Sequence, residues 1–237
     1  MIFFSSKIHV DFWIVLLKLV IWRGFLVPQI FHGFQSHKMK SAIIQKASKL
    51  FLQLGFKSVT MDDLAVSLGI SKKTLYIHFD NKHQLVEEVA YSIFEKVTQD
   101  IIKIKEGASN PIEEFHCVKI EAMKYLGNEK TSPNYQLQKF FPKIYEDLKT
   151  KEYQYLGKLV KSSLQNGIDL GLFQNDIDVE FVSRLYLNGI RGIRDIEIFP
   201  IEQFKIEDLF EKYLDYHLRA IITPKGLETL TLFKSTI

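Results

Sequence analysis

An all-α fold is what this 237-residue sequence predicts. From residue 40 onward, apolar residues recur at three- and four-residue intervals, the signature of amphipathic helices. No stretch alternates as a strand does, and no internal repeat or low-complexity tract interrupts the pattern. At 46% hydrophobic and 25% charged residues the composition is that of a globular chain, not a disordered one. The expected architecture is a three-helix amino-terminal unit containing a helix-turn-helix, followed by a larger helical unit.

The elements follow in order. Ile43, Ala47, Leu50, Phe51 and Leu54 lie on one face of a helix from Lys40 to Leu54, which Gly55 ends. Thr60 is placed to cap a second helix, with Asp62 and Asp63 in the first turn, where the helix dipole favours negative charge. Met61, Leu64, Ala65 and Leu68 form its apolar stripe. Gly69 and Ile70 make the turn, and Ser71 caps a short third helix from Lys72 to about His78. Asp80 and Asn81 break the chain before a long helix from Lys82 to about Lys105. Later breaks are expected at Asn110-Pro111, at Thr131-Ser132-Pro133-Asn134, at Gly171 and at Pro200. The stretch from Thr223 is weakly patterned and reads as a tail over 223–237.

Residues 1–38 differ from the rest. They hold both tryptophans and six phenylalanines, with an apolar stretch from Phe12 to Val27. A membrane span needs roughly 20 mostly apolar residues, and this stretch is shorter and carries Lys18 and Arg23. Asp11 before it and the lack of a small-x-small cleavage site disfavour a signal peptide. A membrane partner is therefore not expected. The sequence from Met39 reads as complete in itself, so residues 1–38 are expected to be an extension from an upstream start site, an anchor or accessory segment being the alternative.

Charge is distributed unevenly. Residues 1–38 carry four basic residues and one acid; residues 39–85 carry seven lysines against three aspartates, a net +4; the remainder is acidic by the same amount. A basic amino-terminal unit beside an acidic body suits contact with a polyanion through the former. The single cysteine, Cys117, precludes an intrachain disulfide and a cysteine-based zinc site, in keeping with a cytoplasmic protein.

Residues 60–79 read TMDDLAVSLGISKKTLYIHF, two short helices joined by a glycine-containing turn, which is the helix-turn-helix pattern. Leu64, Ala65, Leu68, Ile70 and Leu75 suit the packing between the helices, and Phe79 is assigned to the core. Lys72, Lys73, Thr74, Tyr76 and His78 remain outside, donors and stacking groups suited to a DNA major groove. Taken singly, Lys72 and Lys73 also fit a solvated face, and Tyr76 fits half-buried packing.

The wider set resembles the TetR/AcrR family signature: Gly55-Phe56, Thr60, Leu64-Ala65, Leu68-Gly69-Ile70-Ser71, Thr74-Leu75-Tyr76, His78-Phe79, Lys82 and Leu85. The resemblance spans roughly residues 40–90 and implies a transcriptional repressor. Such a protein is a homodimer on a palindromic operator of double-stranded DNA, released by a small-molecule effector. It implies a DNA-binding domain over 39–85 and a ligand-binding and dimerisation domain over 86–222. It assigns Thr60, Tyr76, His78 and Lys82 to phosphates and Lys72, Lys73 and Thr74 to base edges, with Ser71 beside them at the helix start. Lysine at 73, where the family often has a small residue or proline, departs from the pattern and leaves the operator sequence open.

In the body, Val182, Leu185, Tyr186, Ile190, Ile193 and Ile196, and then Ile206, Leu209, Phe210, Tyr213, Leu214, His217, Leu218 and Ile221, form two helical stripes. They are read as a dimer interface, or as cover for the subunit's own core. Gly189 and Gly192 would permit close helix approach. Aromatic residues between 112 and 170 suit an effector cavity or plain core. Arg184, Arg191 and Arg194 suit an anionic effector or salt bridges. His116, Cys117 and Glu121 lack the spacing of a metal site. No phosphate-cradling glycine loop or nucleophile elbow is present, so neither an enzyme nor a cofactor is expected. The competing functions are a helical ligand-binding dimer without DNA binding and a regulator tethered to a membrane through residues 1–38.

Overall fold

The computed structural model describes residues 27–126 and 133–236. Ten helices occupy them: α1 Val27–Leu54, α2 Met61–Leu68, α3 Lys72–His78, α4 Lys82–Gly107, α5 Pro111–Leu126, α6 Pro133–Phe140, α7 Pro142–Asp169, α8 Val179–Gly192, α9 Ile206–Ile221 and α10 Pro224–Thr236. The described residues hold no strand, only an isolated antiparallel bridge between Phe173 and Ile222. Two units are distinguished along the chain, residues 1–45 and residues 46–237. The described part of the first is helical.

Local chemistry sets most of the boundaries. Gly55 leaves α1 at φ +88, and Gly69 leaves α2 at φ +66, conformations that a β-carbon disfavours. A capping box starts α2: the Asp63 N–H donates to Thr60 Oγ1, and the Thr60 N–H donates to Asp63 Oδ2. Ser71 caps α3 by accepting from the Thr74 N–H, and Asn81 caps α4 by accepting from the Gln84 N–H. Helices α5, α6, α7 and α10 each begin with proline, whose missing N–H costs nothing in a first turn.

Around the helix-turn-helix, Phe51, Phe56, Leu64, Leu75, Phe79 and Leu85 are fully buried, as the apolar pattern requires. The Phe51 and Phe56 rings lie 5.1 Å apart. Ala65 is buried in α2, while Leu54, expected on the buried face, is exposed. In the body, Ile112, Phe115, Leu164, Phe173, Leu214 and Leu218 form the centre of one cluster joining α5, α7 and α9.

Three expectations change. The first helix starts at Val27, so residues 27–38 continue it rather than stand apart; residues 1–26, with most of the apolar stretch read there, lie outside the described residues. The segment expected as a tail is helix α10, anchored by buried Leu230 and by Gly226, whose absent side chain leaves room for the Leu172 carbonyl. The two late stripes chiefly cover this subunit's own core: Tyr186, Ile193, Ile206, Leu209, Phe210, Leu214, His217, Leu218 and Ile221 are all buried. Gly189 permits a close approach there. A β-carbon on it would meet the Tyr213 hydroxyl at 2.1 Å, whereas nothing lies near Gly192.

Candidate nucleic-acid interface and effector cavity

The residues singled out from the sequence gather on the exposed side of α2, α3 and the start of α4. Thr60, Ser71, Lys72, Lys73 and Tyr76 are exposed, and Thr74, His78 and Lys82 half-buried. Thr60 and Ser71 are engaged as caps, and the Ser71 and Thr74 hydroxyls are 2.8 Å apart. Asp63 is held below the usual carboxylate range, first by the Thr60 backbone N–H and then by its hydroxyl. Ile77, 70% exposed, shares the α3 face of Lys73 one turn earlier; the i, i+4 spacing in the sequence carried that signal.

Two of the lysines are already engaged. Lys72 Nζ lies 2.9 Å from Asp62 Oδ1, joining the starts of α2 and α3, and that pairing raises the ammonium above its ordinary value. Lys82 Nζ donates to the Lys57 carbonyl oxygen at 2.7 Å. Burial pushes Lys82 below the usual lysine value, and Asp63 nearby opposes the shift.

The turn after α1 is gripped by α6, a relation no local pattern announced. Lys57 N–H donates to Gln136 Oε1 at 2.8 Å, and Lys57 Nζ sits 4.2 Å from the Phe140 ring centroid. A β-carbon at Gly55 would meet the Gln136 side chain at 2.1 Å. Helix α6 also presents Asn134 and Leu137 to a cavity of about 310 Å³. This is at the lower end of the roughly 300–1,000 Å³ range of small-molecule sites.

That cavity is mainly apolar, and its charged groups are specific. Arg191 donates from Nε to Glu152 Oε2 at 2.9 Å and from Nη2 to the Lys149 carbonyl at 3.1 Å, with its guanidinium 4.5 Å from the Tyr153 ring centroid. Its Nη1 is buried and has no hydrogen-bond partner among the described residues. Arg194, in the turn after α8, also lines the cavity. Burial pushes it below the usual arginine value and Arg191 adds to this, while Glu152 and Tyr145 oppose it. Elsewhere in the lining, Glu114 accepts from Ser163 and pairs with Lys105, and Lys119 pairs with Glu211. Among the described residues no cluster of three metal-ligating side chains occurs, and no helix is long and apolar enough to cross a membrane.

The family model for bacterial regulatory proteins of the tetR family matches residues 43–89, which contain the helix-turn-helix and its capping residues. The chain is a TetR/AcrR-family regulator. It is similar to the HTH-type transcriptional repressor KstR2 of Mycolicibacterium smegmatis, 26% identical over 204 residues that cover 81% of this chain and 95% of the relative. It is also similar to IcaR, the negative regulator of the icaADBC biofilm operon of Staphylococcus aureus, 38% identical over 72 residues, 30% of this chain and 38% of that one. The fold is shared with a transcriptional regulator from Saccharomonospora viridis solved in complex with choline. There the TM-score is 0.63 at 17% identity, over 79% of this chain and 99% of that one. The chain is accordingly a DNA-binding transcriptional repressor of this family, whose members act as dimers and bind small molecules.

Proposed function

We propose that Thr60, Ser71, Lys72, Lys73, Thr74, Tyr76, His78 and Lys82 form the face that meets double-stranded DNA. Lys72, Lys73 and Thr74, at the start of α3, reach base edges in the major groove; Thr60, Tyr76, His78 and Lys82 hold phosphates around it, and Ser71 fixes the start of the helix. The observation that carries this reading is the arrangement of these side chains on the outside of a helix-turn-helix whose inner residues, Leu64, Ala65 and Leu75, are buried. Residues 39–85 act as the DNA-binding unit and residues 86–222, with α10 added, as the effector and dimerisation unit, in the cytoplasm. No catalytic role belongs to this reading.

Exposed apolar side chains on α8 and α9 suit a twofold contact between two copies, which would present two recognition helices to a palindrome. Phe181, Leu185 and Tyr216 are 60%, 49% and 73% exposed. The cavity is the effector site. Helix α6 touches both the cavity, through Leu137, and the turn at Gly55–Lys57, whose Phe56 also lines the cavity, so a ligand that moves Leu137 moves Gln136 and Phe140 with it. The structural neighbour that holds choline supports a small-molecule role for this kind of body.

The decisive experiment is selection of fragmented genomic DNA by the purified full chain at near-physiological salt. Enrichment of a palindrome is expected. Folded, dimeric protein that enriches nothing would overturn the DNA-binding assignment of these residues.

A further inference from the structure

Six charged side chains line the cavity: Glu114, Lys119, Lys149, Glu152, Arg191 and Arg194. Five are neutralised within the protein. Glu114 pairs with Lys105, Lys119 with Glu211, Lys149 with Glu146, and Glu152 with Arg191. Arg194 has no ion pair among the described residues, and its guanidinium makes no hydrogen bond to another of them. Its neighbour Arg191 keeps Nη1 buried and unpartnered. Two guanidinium groups thus share one carboxylate, a net charge of one in a mainly apolar chamber. An arginine does not shed its proton in a protein, so neutralisation by deprotonation is closed to it. An unpaired charge facing an apolar chamber is costly unless an anion meets it.

We propose that the effector is an amphiphile with one carboxylate and an unbranched or cyclic hydrocarbon body, its carboxylate gripped by Arg194 and its body lying along the apolar wall. The planar fork of a guanidinium matches a carboxylate with two parallel hydrogen bonds. A monoanion balances the single excess charge, whereas a dianionic phosphate would leave the chamber negative. A cation would face two arginines. The body lies against Phe94, Val97, Leu156, Ile190 and Phe210, which line the same cavity. The inference rests on the cavity being the effector site.

The test is calorimetric binding of dodecanoate, dodecanol and dodecylamine, each below its micelle concentration, to the purified full chain. Dodecanoate is expected to bind roughly tenfold to a hundredfold more tightly than dodecanol, the span that hydrogen bonds to a charged group give. Dodecylamine is expected to bind most weakly. Arg194→Gln should bring dodecanoate down to the dodecanol level while leaving dodecanol binding in place, and Arg194→Lys should keep part of the preference. Equal binding of dodecanoate and dodecanol by the wild-type chain, or absence of dodecanoate binding, overturns the proposal without recourse to any variant. So does a folded Arg194→Gln chain that retains the full preference. Dodecanoate that binds as expected yet leaves the protein on its operator would overturn the effector role of the cavity and leave the carboxylate site standing.

Discussion

Lys82 Nζ donates a hydrogen bond to the Lys57 carbonyl oxygen at 2.7 Å, tying the first residue of α4 to the turn that follows α1. A lysine has three N–H donors, so the contact leaves two for a phosphate. It also fixes where the charge sits, so that in the proposed interface Lys82 serves as a structural tie and a DNA contact at once. Lys82→Ala is expected to lower affinity for all DNA sequences and to flatten the log–log salt dependence by about one unit. It should also destabilise the fold by about 1 kcal/mol, since the Lys57 carbonyl loses its donor. Lys73→Ala, on an exposed side chain assigned to base edges, should relax base preference without the stability loss. Tyr76→Phe should weaken binding without altering the slope. Filter binding across a salt series and urea unfolding separate these effects; an unchanged slope for Lys82→Ala would exclude its phosphate role.

In the proposed interface Asp62 competes with DNA for Lys72. Its carboxylate holds the Lys72 ammonium at 2.9 Å in the free protein, and both side chains are more than half exposed. Binding that uses Lys72 must break or share this pair, and the carboxylate itself repels phosphate. Asp62→Asn is therefore expected to tighten DNA binding a few-fold and to steepen its salt dependence. Affinity below that of the wild type would place Asp62 in an orienting role instead. The same variant tests whether Lys72 touches DNA at all, because Lys72→Ala should erase its effect.

The amino-terminal helices were legible because their signals are local. Thr60, Gly69 and Ser71 each carry out within three or four residues the cap or turn that the sequence assigns them. An effector cavity, and Arg191 and Arg194 for an anionic effector, were open readings of the sequence, but the pairing of Arg191 with Glu152 was not legible, because the two lie 39 residues apart and nothing in either neighbourhood announces the other. Gln136 and Lys57 are a similar case, 79 residues apart. Helix α10 escaped notice for a different reason: of its apolar residues only Leu230 is buried, too little to make a periodic stripe. The late stripes were visible, but period alone does not say whether an apolar face meets its own core or another copy. Burial marks what meets the subunit's own core, and the exposed Phe181, Leu185 and Tyr216, of which only Leu185 belonged to the expected stripes, make up the proposed contact.

Those three residues make the dimer testable. A carboxylate at the centre of a self-complementary interface meets its own copy across the twofold axis, and both charges lose water. Leu185→Asp and Tyr216→Asp are expected to shift the protein from dimer to monomer in light scattering at micromolar concentration. Operator affinity should fall by about tenfold or more as the two half-sites cease to be bound together. Dimers that persist in both variants would move the interface elsewhere.

The fold should weaken on mild acidification, through two histidines. His217 is buried, its ring centroid 4.7 Å from that of Tyr186 and 6.4 Å from that of Phe115, and its Nε2 has no hydrogen-bond partner among the described residues. Burial pushes its pKa down to about 4. His116, against the Phe233 ring, is pushed to about 4 by burial and by Lys119, with Glu211 opposing. An unfolded chain protonates histidine near pH 6.5. Between that value and about 4 the unfolded state therefore binds protons that the native state refuses. Stability is full above pH 6.5 and is lost as the pH falls through this window, by up to about 1.4 kcal/mol per pH unit for each ring. The carboxylates Glu211 and Asp215 are held below their usual range and act at lower pH. Urea midpoints measured from pH 7 to pH 5 should fall steadily, and His217→Leu should remove about half of that slope. A midpoint independent of pH over this interval would mean that both rings titrate in the native protein as they do in the unfolded chain.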